Sequence, residues 1–123
     1  MSFQNFYRVL EEKNTVDNAM VYTIQLNKAH DIFRGHFPGK PVTPGVAMLQ
    51  IIKDLTEGHT GKSLFMQEVK DVKFLSVVDP MIEPMLLFSL RMVREANIIT
   101  VKNNTSTPDA TPVLKCNVTF VEE

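Results

Sequence analysis

Cysteine is almost missing from the 123-residue chain: Cys116 stands alone, so no disulfide can form within it, and a reducing compartment is the simpler expectation. An excess of one charge is missing too. The 13 basic and 14 acidic side chains nearly cancel, which excludes a whole-molecule field that would draw the protein to DNA, RNA or an anionic membrane. No apolar run reaches the roughly 18 to 20 residues of a membrane span. The stretch from Met1 to Lys13 mixes Gln4, Asn5, Arg8, Glu11 and Glu12 with apolar residues and fits neither a signal nor a transit peptide. A cytoplasmic location is therefore expected. His30, His36 and His59 share no ligand spacing with Cys116, and no glycine-rich phosphate loop occurs, so neither a metal nor any other cofactor is expected.

What is present is an apolar fraction of 44%, enough for one core, in a length typical of one domain spanning residues 1–123. Cys116 lies among Val113, Leu114, Lys115, Asn117 and Val118, a strand-like setting in which a thiol packs rather than reacts. Phe3, Phe6, Tyr7, Val9 and Leu10 have no clean period, so the opening segment reads as either a short helix or a strand. From Ala19 to Leu26 the β-branched, partly alternating order predicts a strand. Asn27 to Gly45 holds too many prolines and glycines for regular structure and predicts an ordered loop.

Thr43 and Pro44 read as the N-cap and first residue of a helix running to about Glu57, with Gly58 as its stop. Val46, Ala47, Met48, Leu49, Ile51, Ile52 and Leu55 cover most of its circumference and predict a central, buried helix. Strands are predicted over Val69 to Val78, Met85 to Arg94, Asn97 to Asn103 and Val113 to Val121, with a tight turn at Glu95 to Asn97. One buried helix followed by an antiparallel sheet is an α+β architecture.

The chemically informative segment runs from His36 to Val46. Pro38, Pro41 and Pro44 stiffen it, and it sets a histidine just ahead of the buried helix. A histidine beside apolar residues is more often structural, the reading taken for His30 and His59. The string His-Phe-Pro-x-x-Pro-x-x-Pro-Gly, complete from His36 to Gly45, resembles the signature of the 3-hydroxyacyl-[acyl-carrier-protein] dehydratases of fatty-acid synthesis.

That resemblance implies a hotdog fold, a long antiparallel sheet wrapped around one helix. Two subunits join edge to edge, and the histidine of one faces an acidic residue on the helix of the other. It implies His36 as the base for the C2 proton of a 3-hydroxyacyl thioester. Gly45 would offer its backbone N–H, at the positive end of the helix, to the thioester carbonyl. Phe37, Pro38, Pro44 and Val46 would line the substrate. The acyl group would arrive on the phosphopantetheine of an acyl carrier protein or on coenzyme A, with Arg34 and Lys40 flanking the entrance as the carrier contact.

Two departures stand against the pattern. The position of the family's acid holds Gln50, whose amide can hydrogen-bond to a hydroxyl but cannot protonate a leaving hydroxide. Gln50 reads either as a core amide bonded to backbone or as a ligand-facing amide at the acyl site. Asp54 and Glu57, roughly 6 and 10 Å further along the axis, are not placed to substitute for it. The second departure is Val78-Asp79-Pro80-Met81-Ile82, where such dehydratases usually carry Val-x-Pro-Gly-Asp. A homodimer or larger homo-oligomer is expected, or a heterodimer with a second hotdog subunit that brings the missing acid. An acyl thioesterase and a non-catalytic acyl-binding subunit are the alternative functions.

Overall fold

Along Ile98–Ser106, Ile99, Val101, Asn103 and Thr105 are buried and the residues between them are mostly exposed, the period of two that marks a strand with one dry face. The computed structural model describes residues 4–35, 39 and 41–123. Its elements are β1 (Tyr7–Asn14), β2 (Met20–Leu26), α1 (Ile32–Gly35), α2 (Gly45–Thr60), β3 (Leu64–Phe74), β4 (Met85–Glu95), β5 (Ile98–Ser106) and β6 (Pro112–Glu122). All strand pairs are antiparallel, in the order β1-β2-β4-β5-β6-β3, so β1 and β3 form the two edges.

The sheet's inner face presents Ile24, Leu86, Phe88, Leu90, Val101, Val118 and Phe120, all without exposure. Against it lies one face of α2, with Ala47, Met48, Ile51, Ile52, Leu55 and Thr56 buried. This sheet wrapped about one helix is the hotdog arrangement. Met48 belongs to the core, Met66 and Met92 pack against it, and Met81 is exposed.

The opening segment resolves as strand β1 at the sheet edge. Four sequence expectations need correction. The irregular loop contains α1, one short turn, because Ala29 to Arg34 carries neither proline nor glycine and Ile32 and Phe33 can bury. Thr43 is not the cap of α2: Pro44 holds that position with φ −65° and ψ 142°, and no side chain caps the helix.

Gly58 does not stop the helix either. It continues until Gly61 takes a left-handed φ of 70° and donates its N–H to Glu57 O at 2.8 Å, a termination that glycine makes at low cost. β3 begins at Leu64 rather than Val69 and ends at Phe74 rather than Val78, because pairing with β6 sets its limits. Its register shifts between Met66 and Glu68 and again between Lys70 and Lys73. At the second shift Asp71 has φ 55° and accepts a hydrogen bond from Asn117 Nδ2 at 2.9 Å.

Candidate functional site

His36, Phe37, Pro38 and Lys40 lie outside the described residues. The chain beyond them is well anchored. Thr43 donates its N–H to Val78 O at 2.9 Å, which ties the approach to α2 to the segment after β3. Thr43 and Pro44 are buried, and the Thr43 hydroxyl has no partner among the described residues. The first N–H groups of a helix have no partner inside it. With no side-chain cap at Pro44, the positive end of α2 is left for another acceptor.

Gly45 opens that end for a reason of space as well as chemistry. A Cβ added there would lie 2.5 Å from Cζ and 2.9 Å from Cε1 of Phe74, so only glycine fits while the ring stays in place. The helix entry is tight, and Phe74 at the end of β3 is the group that makes it so. Val46 is 61% exposed, which corrects the expectation of a helix buried all round.

Gln50 is not the backbone-bonded core amide that was one of its two expected settings. It is half-buried, and its Nε2 donates to Asp54 Oδ1 at 2.8 Å, one helical turn on, rather than to backbone. The other carboxylate oxygen, Oδ2, accepts the Tyr7 hydroxyl of β1 at 3.0 Å. Burial first, then the Asp54 carboxylate beside it, push the Tyr7 hydroxyl far above its ordinary value, so it stays a donor. Asp54 is nevertheless within hydrogen-bond reach of Gln50. Axial rise separates the two Cα atoms, but side chains at i and i+4 share a face and touch. That spacing is the signal that could have found the cluster. Glu57 serves elsewhere: its Oε2 accepts the Leu64 N–H at 2.7 Å and joins the helix end to β3.

Arg34 pairs with Asp31 at 3.5 Å, and at 81% and 83% side-chain exposure this pair adds little to stability. Arg34, Gly39, Pro41, Asp79 and Met81 line an open cleft of about 620 Å³. His30 also lines it but has a structural task. Its Nδ1 accepts the Ile32 N–H at 3.1 Å, so the proton sits on Nε2, 3.0 Å from Gln4 O, and the ring meets Phe6 edge-on. Cys116 is buried, and that burial raises its thiol, as expected of a packing cysteine. Among the described residues no cluster of three or more acidic, histidine or cysteine side chains could hold a metal, and no helix is long and apolar enough to cross a membrane.

A six-stranded antiparallel sheet around one helix whose start is uncapped defines a hotdog protein, and solved structures share the arrangement. The dehydratase heterocomplex ApeI:P from Xenorhabdus doucetiae superposes with a TM-score of 0.73 at 17% identity, covering 94% of this chain and 97% of that one. A hypothetical thioesterase with coenzyme A from Streptococcus pneumoniae gives 0.68 at 10% identity, covering 99% and 91%. At these identities the likeness is one of fold. In sequence, residues 11–110 match the family described as ApeI-like, ApeI dehydratase. The chain belongs to the ApeI-like dehydratase family.

Two curated relatives are 3-hydroxyacyl-[acyl-carrier-protein] dehydratases FabZ. That of Lactiplantibacillus plantarum is 32% identical over 69 residues, 50% of this chain and 47% of its own length. That of Clostridium acetobutylicum is 27% identical over 97 residues, 73% of this chain and 67% of its own. The chain thus spans about half the length of the first and two thirds of the second.

Proposed function

We propose that the protein acts on 3-hydroxyacyl thioesters, removing water to give the trans-2-enoyl thioester, at a site shared between two hotdog subunits. The supporting observation is the α2 N-terminus: uncapped, opened by a glycine that Phe74 overlies, and reached directly from the complete motif at His36 to Gly45. His36 takes the C2 proton, and the Gly45 N–H receives the negative charge that develops on the thioester oxygen. Phe37, Pro38, Pro44 and Val46 border the acyl chain. The C3–O bond then breaks, and the departing hydroxide needs a proton that the Gln50 amide cannot give. No cofactor enters the reaction. The thioester is carried on phosphopantetheine, from a carrier protein or coenzyme A, with Arg34 and Lys40 beside its entrance, and the protein acts in the cytoplasm.

A second subunit is supported by the β3 edge, which exposes Phe65, Val72 and Phe74, with Leu75 and Val77 exposed just beyond it. An apolar strand edge of this kind calls for a partner. A different hotdog subunit, bringing an acid on its own helix, fits the missing proton donor better than a second copy. Supplying the protein, alone and with each hotdog subunit of its own genome, with 3-hydroxyacyl and saturated acyl thioesters separates the readings. Enoyl product supports dehydration. Free thiol without it establishes the thioesterase reading, and neither product leaves a non-catalytic acyl-binding subunit.

A further inference from the structure

The Gln50 amide is not free to choose which end it shows. Asp54, as a carboxylate, can only accept, so the Gln50 atom 2.8 Å from its Oδ1 must be Nε2, the donor. Tyr7, from a different element, donates to Oδ2 at 3.0 Å and closes off rotation of the carboxylate. An amide is planar, so fixing Nε2 on Asp54 turns Oε1 away from it. Oε1 has no hydrogen-bond partner among the described residues, and it is not among the buried atoms that lack one, so it is open to solvent or ligand. Glu12 and His59 border the same side of Tyr7 and Asp54 in a depression of about 270 Å³, and neither is bonded to Gln50.

We infer that Asp54, locked by Tyr7, is a positioning residue that makes Gln50 present a hydrogen-bond acceptor to the bound acyl chain, and so selects a 3-hydroxyl over a 3-oxo group. The inference rests on the acyl-site reading proposed above. A 3-hydroxyl can donate to Oε1. A 3-oxo group has only lone pairs and meets another acceptor there, which leaves both undersatisfied. The position that holds a proton donor in related dehydratases acts in this chain as a filter on oxidation state. With Asp54→Asn the lock is gone. An asparagine amide can pair with Gln50 in either sense, so Nε2 can turn outward and donate to the oxo group.

The test is equilibrium binding of a 3-hydroxyacyl and a 3-oxoacyl pantetheine thioester of equal chain length to the unaltered protein, Asp54→Asn and Tyr7→Phe, with nitrogen-15 spectra of the Gln50 side-chain amide. The unaltered protein should prefer the hydroxy form by about five- to tenfold, the worth of roughly one hydrogen bond. Asp54→Asn should bring that ratio close to one, and Tyr7→Phe should place it between. In the unaltered protein the two Gln50 amide protons should be well separated, and in Asp54→Asn they should move towards free-glutamine positions. A merely structural role for Asp54 would weaken both ligands alike.

Gln50 protons already at free-glutamine positions in the unaltered protein would overturn the inference, as would an unchanged ratio in both variants. If neither thioester binds the unaltered protein, the acyl-site reading falls with its selectivity, while the amide spectra still decide whether Asp54 holds Gln50. Should Asp54→Asn fail to fold, Tyr7→Phe carries the same comparison.

Discussion

Replacing Gln50 by glutamate tests the site at its most unusual point, and the structure sets the size of the effect. The exchange puts a second carboxyl group where an amide now sits 2.8 Å from Asp54 Oδ1. Two full charges at that distance repel by about 6 kcal/mol at an effective dielectric of 20, and by about 1.5 kcal/mol in bulk water. A half-buried pair falls between these limits, enough to hold a proton between the two carboxyls near neutral pH. Tyr7 already donates to Asp54, which favours the proton resting on the introduced side chain. The variant therefore gains a proton donor with its acidity already tuned, at the position where the proposed dehydration needs one.

The assay is the rate of enoyl thioester formation from a 3-hydroxyacyl thioester across pH. We expect a gain of at least about tenfold, below the 10² to 10⁴ usual for acid catalysis because the remaining geometry is shaped for an amide. The sign of the pH dependence follows from the role. An acid works only while protonated, so the gain is full at lower pH and fades as pH rises through the ionisation of the shared proton. Adding Asp54→Asn removes the repulsion, and the gain should then fade at a lower pH. No gain at any pH between about 5 and 9, or one that grows as pH rises, would refute the reasoning.

Further outcomes follow from the same geometry. Gly45→Ala should lower the melting temperature, at a cost of about 1 to 3 kcal/mol of overpacking against Phe74, and Phe74→Ala in the same chain should restore most of it. Phe120→Ala empties a fully buried site and should cost about 3 to 5 kcal/mol in denaturant unfolding. Absorbance titration should show Tyr7 and Tyr22 both ionising above the ordinary tyrosine range, Tyr7 the later. Because folding raises both, their contribution to stability is complete below the unfolded value near 10 and is lost as pH climbs through the folded ones. Cys116 should react with a thiol reagent in the native state far more slowly than in denaturant, since burial raises its thiol and blocks access.

Much of the sheet was legible because its strands obey local rules. Met20–Leu26 and Met85–Glu95 alternate cleanly and sit at or within one residue of their expected limits. β3 was misplaced because eight of its eleven residues are exposed and its ends are set by β6, a partner distant in sequence. The stop at Gly58 failed because a mid-helix glycine costs only about 1 kcal/mol, which the buried Leu55 and Thr56 can outweigh, while Gly61 alone takes the left-handed turn. At the site, the motif announced Gly45 and the helix start, but nothing in its spacing reveals Phe74. Asp54 was within reach of sequence reasoning, since i and i+4 share a helix face, yet its lock, Tyr7, comes from a strand 47 residues away.

The two register shifts in β3 separate properties that are often bound together. Deleting Gln67, the residue skipped at the first shift, restores the ladder with β6 at that point, leaves the shift between Lys70 and Lys73 in place, and keeps Leu64, Met66 and Val69 on the face they now share. A bulge bends the strand that carries it, so the deletion should alter the path by which β3 brings Phe74 over Gly45. A protein shortened there should melt at nearly the same temperature while the contact between Phe74 and the start of α2 is lost.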